Sequence, residues 1–290
     1  PTTYIYTLSL HDALPILTDY FELTSIGATF MNAGIMTLVS VGFVIMNHAT
    51  ITGPVAAAIF TVAGFSFFGK NLYNSIPIAL GVLVYSKFVR LPYNRFLAQS
   101  LFGSALGPLV SLITFSVGLP LPLGILAGTA CGMLAGFLLP PLSSHFLRFH
   151  QGFNLYNIGF TTGIIGTFFI AMLRGFGIDV KTVSILSSGN NQILSILLYC
   201  IFAGMIILGF IYNGKSFSGY RQILSQSGKL ASDFILIVGP GITLINMAML
   251  GILATTYVLL IGGQINGPII GGIFTMVGFG AFGKHLRNVI

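Results

Sequence analysis

Residues 53–74 read GPVAAAIFTVAGFSFFGKNLYN, and residues 267–288 read GPIIGGIFTMVGFGAFGKHLRN. Twelve of the 22 positions are identical at a constant offset of 214 residues. The shared set is mostly Gly, Pro, Phe and polar groups, so general apolarity does not explain it. A Gly-Pro pair suits a backbone break followed by a helix start, because Pro is tolerated in the first turn and Gly permits the approach. The runs that follow carry many small residues, which let neighbouring helices close in. Phe65 and Phe68, like Phe279 and Phe282, are spaced to wedge one side. Gly69-Lys70 and Gly283-Lys284 then end each run, Gly as a C-cap and Lys beside the carbonyl end. Two copies of one unit in an apolar chain predict duplication, an arrangement that often holds a substrate site between the copies.

The offset extends upstream. Asp19 matches Asp233, Gly27 matches Gly241 and Asn32 matches Asn246. The pattern GxxxxN recurs in the middle at Gly152/Asn157, and the later glycine of the first copy, Gly34, has a counterpart in Gly159 but becomes Ala248 in the last. This third occurrence reads either as another version of the spanning unit or as coincidence in a glycine-rich chain.

Composition sets the class. Of 290 residues, 55% are hydrophobic and 6% charged, with a mean hydropathy of +0.96. A soluble domain carries roughly 25% charge, so this chain lacks the polar surface to face water, and apolar runs of about 20 residues match a bilayer span. The net charge of +7 is scattered in short loops, which points to topology rather than nucleic acid. Cys131 and Cys200 lie in apolar segments and read as small buried thiols, not a disulfide framework. Trp is absent, leaving Tyr and Phe for the interfacial belt.

The expected fold is all-α: a polytopic membrane protein with about eight or nine apolar segments and a duplicated unit that includes short, crossing or re-entrant helices. Residues 1–16, PTTYIYTLSLHDALPI, read as a non-native leader, and 17–290 as a single membrane domain. Within it, 19–95 forms the first repeat, 96–232 a middle segment, and 233–290 a second repeat. The second reads as truncated, because the first continues into NSIPIALGVLVYSKF. Spans are expected near 25–46, 53–68, 72–89, 97–117, 121–141, 153–173, 191–212 and 234–260. The stretch PPLSSHFLRFHQ reads as a loop. Basic loops at 87–95, 145–150 and 213–230 are separated by two spans each and fall on one, cytoplasmic, side. If 53–68 crosses, the repeats are inverted; if it re-enters, they are parallel. Asp19 and Glu22, without Lys or Arg beside them, favour the inverted pair.

An Asn in an apolar span has two donors and an acceptor that lipid cannot satisfy. It either makes an interhelical bond or lines a solute path. Candidate path residues are Asn32, Thr61, Asn154, Asn157, Thr161, Thr162, Asn246 and Thr275, with Asn154 and Asn157 expected on one helical face. Gly53 and Gly267 are candidate half-helix starts, whose amides can face an anion or polar solute. Lys70 and Lys284 are candidate mouth cations, though lysines at such places commonly snorkel. Each Thr can equally bond its own preceding turn. His48, His145 and His150 are not at metal-ligand spacing, and Asp179 and Asp233 are the only carboxylates after Glu22. That disfavours buried acidic relays, two-carboxylate hydrolysis and divalent-metal transport. No phosphate loop, metal site, cofactor motif or enzyme constellation emerges.

The repeated GPxxxxIFTxxGFxxFGKxLxN elements, with GFNLYNIGFTTGIIGTFF from Gly152, resemble a bacterial and archaeal family of multi-pass membrane domains of unknown function over most of 17–290. The resemblance implies a multi-pass protein of the bacterial or archaeal cell membrane and supplies no activity. The duplicated plan with short pore-facing helices also resembles that of urea transporters, at the level of fold alone and without their signature. Two functions follow as expectations: a permease or channel for a small polar or anionic solute, or a non-transporting membrane scaffold that packs partners through the same small-residue faces. The lipid bilayer is the expected surrounding, a solute and a second copy of the chain are candidate partners, and nucleic acid is not.

Overall fold

A computed structural model describes residues 17–178, 180, 184–228 and 231–289. Residues 1–16, expected as a leader, together with Asp179, Lys181, Lys229 and Ile290, lie outside the described residues. The chain is all-helical apart from a two-residue parallel pairing of Leu17–Thr18 with Ser184–Ile185. The main helices are α1 (Ile26–Met46), α2 (Gly53–Phe65), α3 (Leu72–Phe88), α4 (Leu97–Gly103), α5 (Gly107–Ser116), α6 (Leu121–Phe149), α7 (Asn157–Gly175), α8 (Asn191–Tyr212), α9 (Pro240–Leu260) and α10 (Gly267–Phe279).

Six segments among the described residues are long and apolar enough to cross a membrane: α1, the broken unit Tyr93–Ser116, α6, α7, α8 and α9. The α2 and α10 helices have 13 residues each, about 20 Å at 1.5 Å per residue, short of a hydrocarbon core about 30 Å thick. The expected eight or nine apolar segments thus separate into six spanning-length helices and shorter ones. Large side chains on the outside are apolar, with Leu38 73% and Leu260 80% exposed. Such surface suits lipid, and the chain is an integral membrane protein.

Three local expectations are corrected. PPLSSHFLRFHQ is not a loop: α6 runs through Pro140 and Pro141 to Phe149. The Ser143 and Ser144 hydroxyls donate to Pro140 O, at 3.0 and 2.9 Å, in the turn the prolines disturb. At 29 residues the helix is about 44 Å long, enough to carry His145 and Arg148 beyond the apolar layer. The expected span 234–260 breaks at Gly239, whose φ of +86° stops the helix before Pro240 restarts it. Asn154 does not share a helical face with Asn157, because α7 begins at Asn157. The Asn154 side chain accepts from Tyr156 N at 2.9 Å, a local bond that competes with helix.

Packing gives every helix a direction. Gly132 meets Pro77, Gly136 meets Ile78 and Phe137 meets Phe88, so α3 and α6 run parallel. Gly124 meets Thr114 and Gly132 meets Val110, so α5 runs antiparallel to α6. Gly209 against Gly241 and Phe202 against Gly251 make α8 and α9 antiparallel. Between these groups α2 and α10 pack face to face: Gly64 meets Gly271, Phe60 meets Phe274 and Gly278 meets Ala57, an antiparallel register held along both helices.

The loops at 89–92, 150–156 and 213–219 share the basic face. Leaving that face, α9 brings α10 in from the opposite side, so α2 starts from the basic face. Consistently, Phe43 near the end of α1 packs on Tyr93 of the basic-face turn, with ring centroids 5.4 Å apart. At the other end Asp19, before α1, accepts from Ser187 N and Oγ at 3.0 and 2.6 Å, in the loop that follows α7 on the opposite face. Thus α1 and α9 run in opposite directions.

Candidate functional site

The matched residues at the centre make matched bonds. Asn32 Nδ2 donates to Ser66 O and Lys70 O at 2.7 and 3.0 Å, and Asn246 Nδ2 donates to Gly280 O and Lys284 O at 2.7 and 2.8 Å. Asn74 Nδ2 donates to Gly69 O and Asn288 Nδ2 to Gly283 O, both at 2.9 Å. These amides hold the chain where it leaves α2 and α10. Non-helical backbone at membrane depth needs such partners, since lipid offers none. Gly69 and Gly283 adopt φ of +62° and +93° there, which Gly does without strain.

The helix starts are engaged as well. Gly53 N donates to Asp233 Oδ2 at 2.9 Å, and Asp233 Oδ1 also accepts from Leu236 N at 3.2 Å. At the far end Asp19 lies against Gly267, where an added Cβ would come within 2.7 Å of Oδ1. Asp19 and Asp233, each preceding one matched motif, therefore sit at the short-helix start of the other motif. Negative charge at a helix N-terminus is favourable, and at Gly53 and Gly267 the protein supplies it itself.

Two cavities flank this centre along α7. The first, about 420 Å³, faces the basic side and is lined by Thr61, Asn154, Asn157, Thr162 and Thr275 together with Phe279 and Phe282. The second, about 600 Å³, is lined by Phe65, Phe68 and Lys70 and reaches Arg174 at the other end of α7. Phe65, Ala105, Gly159 and Thr162 line both, and so form the wall between them. Each cavity lies against the Phe pair that ends one short helix, Phe279/Phe282 in one and Phe65/Phe68 in the other.

Five of the eight candidate path residues therefore meet in one cavity, while Asn32, Thr161 and Asn246 line neither. Thr61 Oγ1 donates to Ala57 O, Thr162 Oγ1 to Gly159 O and Thr275 Oγ1 to Gly271 O, at 2.7–2.8 Å, so these hydroxyls present lone pairs rather than protons to the cavity. Thr161 is buried and bonds Asn157 O. Asn157 is held at both ends of its amide, by Ser143 O at 3.0 Å and His150 Nε2 at 2.8 Å. Lys284 lies over the Tyr156 ring, 6.0 Å from its centroid. Lys70 is 2% exposed and donates to Ser104 Oγ, which in turn donates to Leu101 O.

Ser104 and Arg174 escaped the sequence reading. Ser104 lies in a short 3₁₀ turn, Ser104–Leu106, that breaks the span between α4 and α5 beside Lys70. The signal was present: Gly107-Pro108 opens α5 with the same pair that opens α2 and α10. Among the described residues no group of three His, Cys, Asp or Glu gathers for a metal ion, and Cys131 and Cys200 are unpaired.

Six spanning-length helices around short, antiparallel inner helices define a multi-pass helical membrane protein. The chain belongs to the family described as Protein of unknown function (DUF1576), which matches residues 6–175 and 212–290. The intervening stretch, with most of α8, lies outside that match. No curated protein and no solved structure matches the chain, so the resemblance to urea transporters gains nothing from the comparisons.

Proposed function

We propose that the protein is a permease or channel for a small polar or anionic solute, built from inverted repeats at 19–95 and 233–290 whose short helices cross at the centre. The opposite directions of α1 and α9, the antiparallel α2 and α10, and the matched Asn and Asp bonds support the inverted pair. The path runs along α7 from Asn154 and Asn157 on the basic side, past Thr61, Thr275 and Thr162, to Lys70 and Arg174. One observation carries this reading: two cavities on opposite sides of the centre share Phe65, Ala105, Gly159 and Thr162 as a common wall. Ligand sites in transporters commonly lie at such repeat interfaces, beside discontinuous helices.

Gly159 is the place to test it. An added Cβ there meets nothing within 4 Å, so a larger side chain enters open space. The Gly159→Leu variant is expected to keep its melting temperature and to lower uptake of labelled lactate or urea into liposomes by at least about tenfold. Uptake that is unchanged for both solutes, in a folded variant, rejects the path.

The scaffold reading draws on α1, where Gly27 and Gly34 are exposed and nothing lies within 4 Å of an added Cβ. It expects no solute uptake by the wild-type chain, and loss of a co-purifying partner when both glycines become Leu.

A further inference from the structure

The two lysines that end the matched motifs are held differently. Lys284 lies over the face of Tyr156, where the ring attracts the ammonium. Lys70 lies at the wall of the larger cavity with 2% of its surface exposed. Its Nζ has one partner among the described residues, the Ser104 hydroxyl, and an ammonium has three N–H groups to place. A snorkelling lysine would carry its ammonium to water, and this one does not. Its backbone is also fixed, since Asn32 Nδ2 holds Lys70 O at 3.0 Å. No carboxylate among the described residues lines this cavity, and its other basic side chain is Arg174. A charge removed from water costs several kcal/mol unless something compensates it. The remaining wall is largely apolar, with Leu106, Leu109, Leu112 and Ile170, and about 600 Å³ exceeds the needs of a small inorganic ion.

We infer that this cavity binds a small organic monocarboxylate, its carboxylate paired with Lys70 and Arg174 and its apolar body against Leu109, Leu112 and Ile170. The inference rests on the path reading above and names the solute class that path would take. Ser104 Oγ accepts from Lys70 Nζ and donates its own hydrogen bond to Leu101 O, which fixes the ammonium beside the cavity wall.

The test is equilibrium binding of labelled butyrate to the purified full-length chain in detergent, with unlabelled competitors. Butyramide has the same shape without the charge, nitrate the charge without the apolar body, and laurate the chemistry of a bilayer fatty acid. Butyrate is expected to bind, with butyramide and nitrate at least about tenfold weaker as competitors. Lys70→Met is expected to weaken binding by at least about tenfold, and Arg174→Gln, at an exposed position, to weaken it several-fold. If Lys70→Met does not fold, Arg174→Gln decides. Equal competition by butyramide, or unchanged binding in the variants that fold, overturns the site. Nitrate as strong as butyrate overturns the organic class, and laurate stronger than butyrate assigns the cavity to lipid instead. Lys70-dependent binding together with uptake untouched by Gly159→Leu keeps the site and rejects the path. Uptake blocked by Gly159→Leu with no carboxylate bound keeps the path and rejects the site.

Discussion

Asn32 and Asn246 illustrate how one residue type in an apolar span divides between roles. Both were legible as polar groups needing partners, and both are engaged by two backbone carbonyls each. The sequence contains the demand for partners but not their identity, because the acceptors lie 34 and 38 residues further along the chain. Removing either amide leaves buried carbonyls without donors, at about 1–3 kcal/mol. Asn32→Ala and Asn246→Ala are each expected to lower the apparent melting temperature in detergent. Asn32→Ala should also loosen Lys70, so it alone is expected to weaken butyrate binding. Equal stability of both variants with the wild type would show that these clamps do not hold the short-helix ends. Thr61 and Thr275 differ from the asparagines: their protons satisfy their own helices, and only their position brings them to a cavity.

At the scale of elements, α2 and α10 owe their close contact to glycine. A Cβ on Gly64 would stand 2.7 Å from Phe274 Cβ, and one on Gly278 would stand 2.8 Å from Ala57 O. These are backbone or Cβ neighbours that cannot swing away. Gly64→Leu and Gly278→Leu are therefore expected to destabilise by about 3 kcal/mol or more, as overpacking does at its severe end. Thermal melting in detergent checks this, with Gly272→Leu, where nothing lies within 4 Å, as the tolerant control. The start signals of these helices were readable, since Gly-Pro acts locally, but the expected Gly69 and Gly283 C-caps were not the ends. The helices stop at Phe65 and Phe279, capped by Ser66 and Gly280, and the two glycines turn the chain further on. Hidden elements were those set by longer contacts: the continuation of α6 through two prolines, and the 3₁₀ break at Ser104–Leu106.

For the whole molecule, the proposed inverted arrangement makes a topological prediction. Thr24 and Ser218 are exposed before α1 and α9 respectively, and inversion puts them on opposite faces. In a chain with Cys131 and Cys200 replaced by Ala, Thr24→Cys and Ser218→Cys are expected to react with a membrane-impermeant maleimide from opposite sides of sealed vesicles. Labelling of both from one side would favour parallel repeats. The rule of basic loops placed three loops together on one face, but acidic Asp19 and Glu22 were too weak a signal to place the fourth. The contacts of Asp19 with Ser187 and of α2 with α10 are what support the proposed inversion.

By itself the sequence determined the membrane class, the all-helical fold, the short helices and the residues that punctuate them. These rest on composition, apolar run length and Gly/Pro chemistry, all local properties of a chain in lipid. Only the tertiary structure decided the directions of the packed helices, the crossing of Asp19 and Asp233 to the helix of the other matched motif, and the meeting of Thr61, Asn157, Thr162 and Thr275 around one cavity. The physical reason is that a cavity is a space between elements. The walls of this one come from α2, α4, α6, α7 and α10, and no periodicity within one segment records what faces it across a gap.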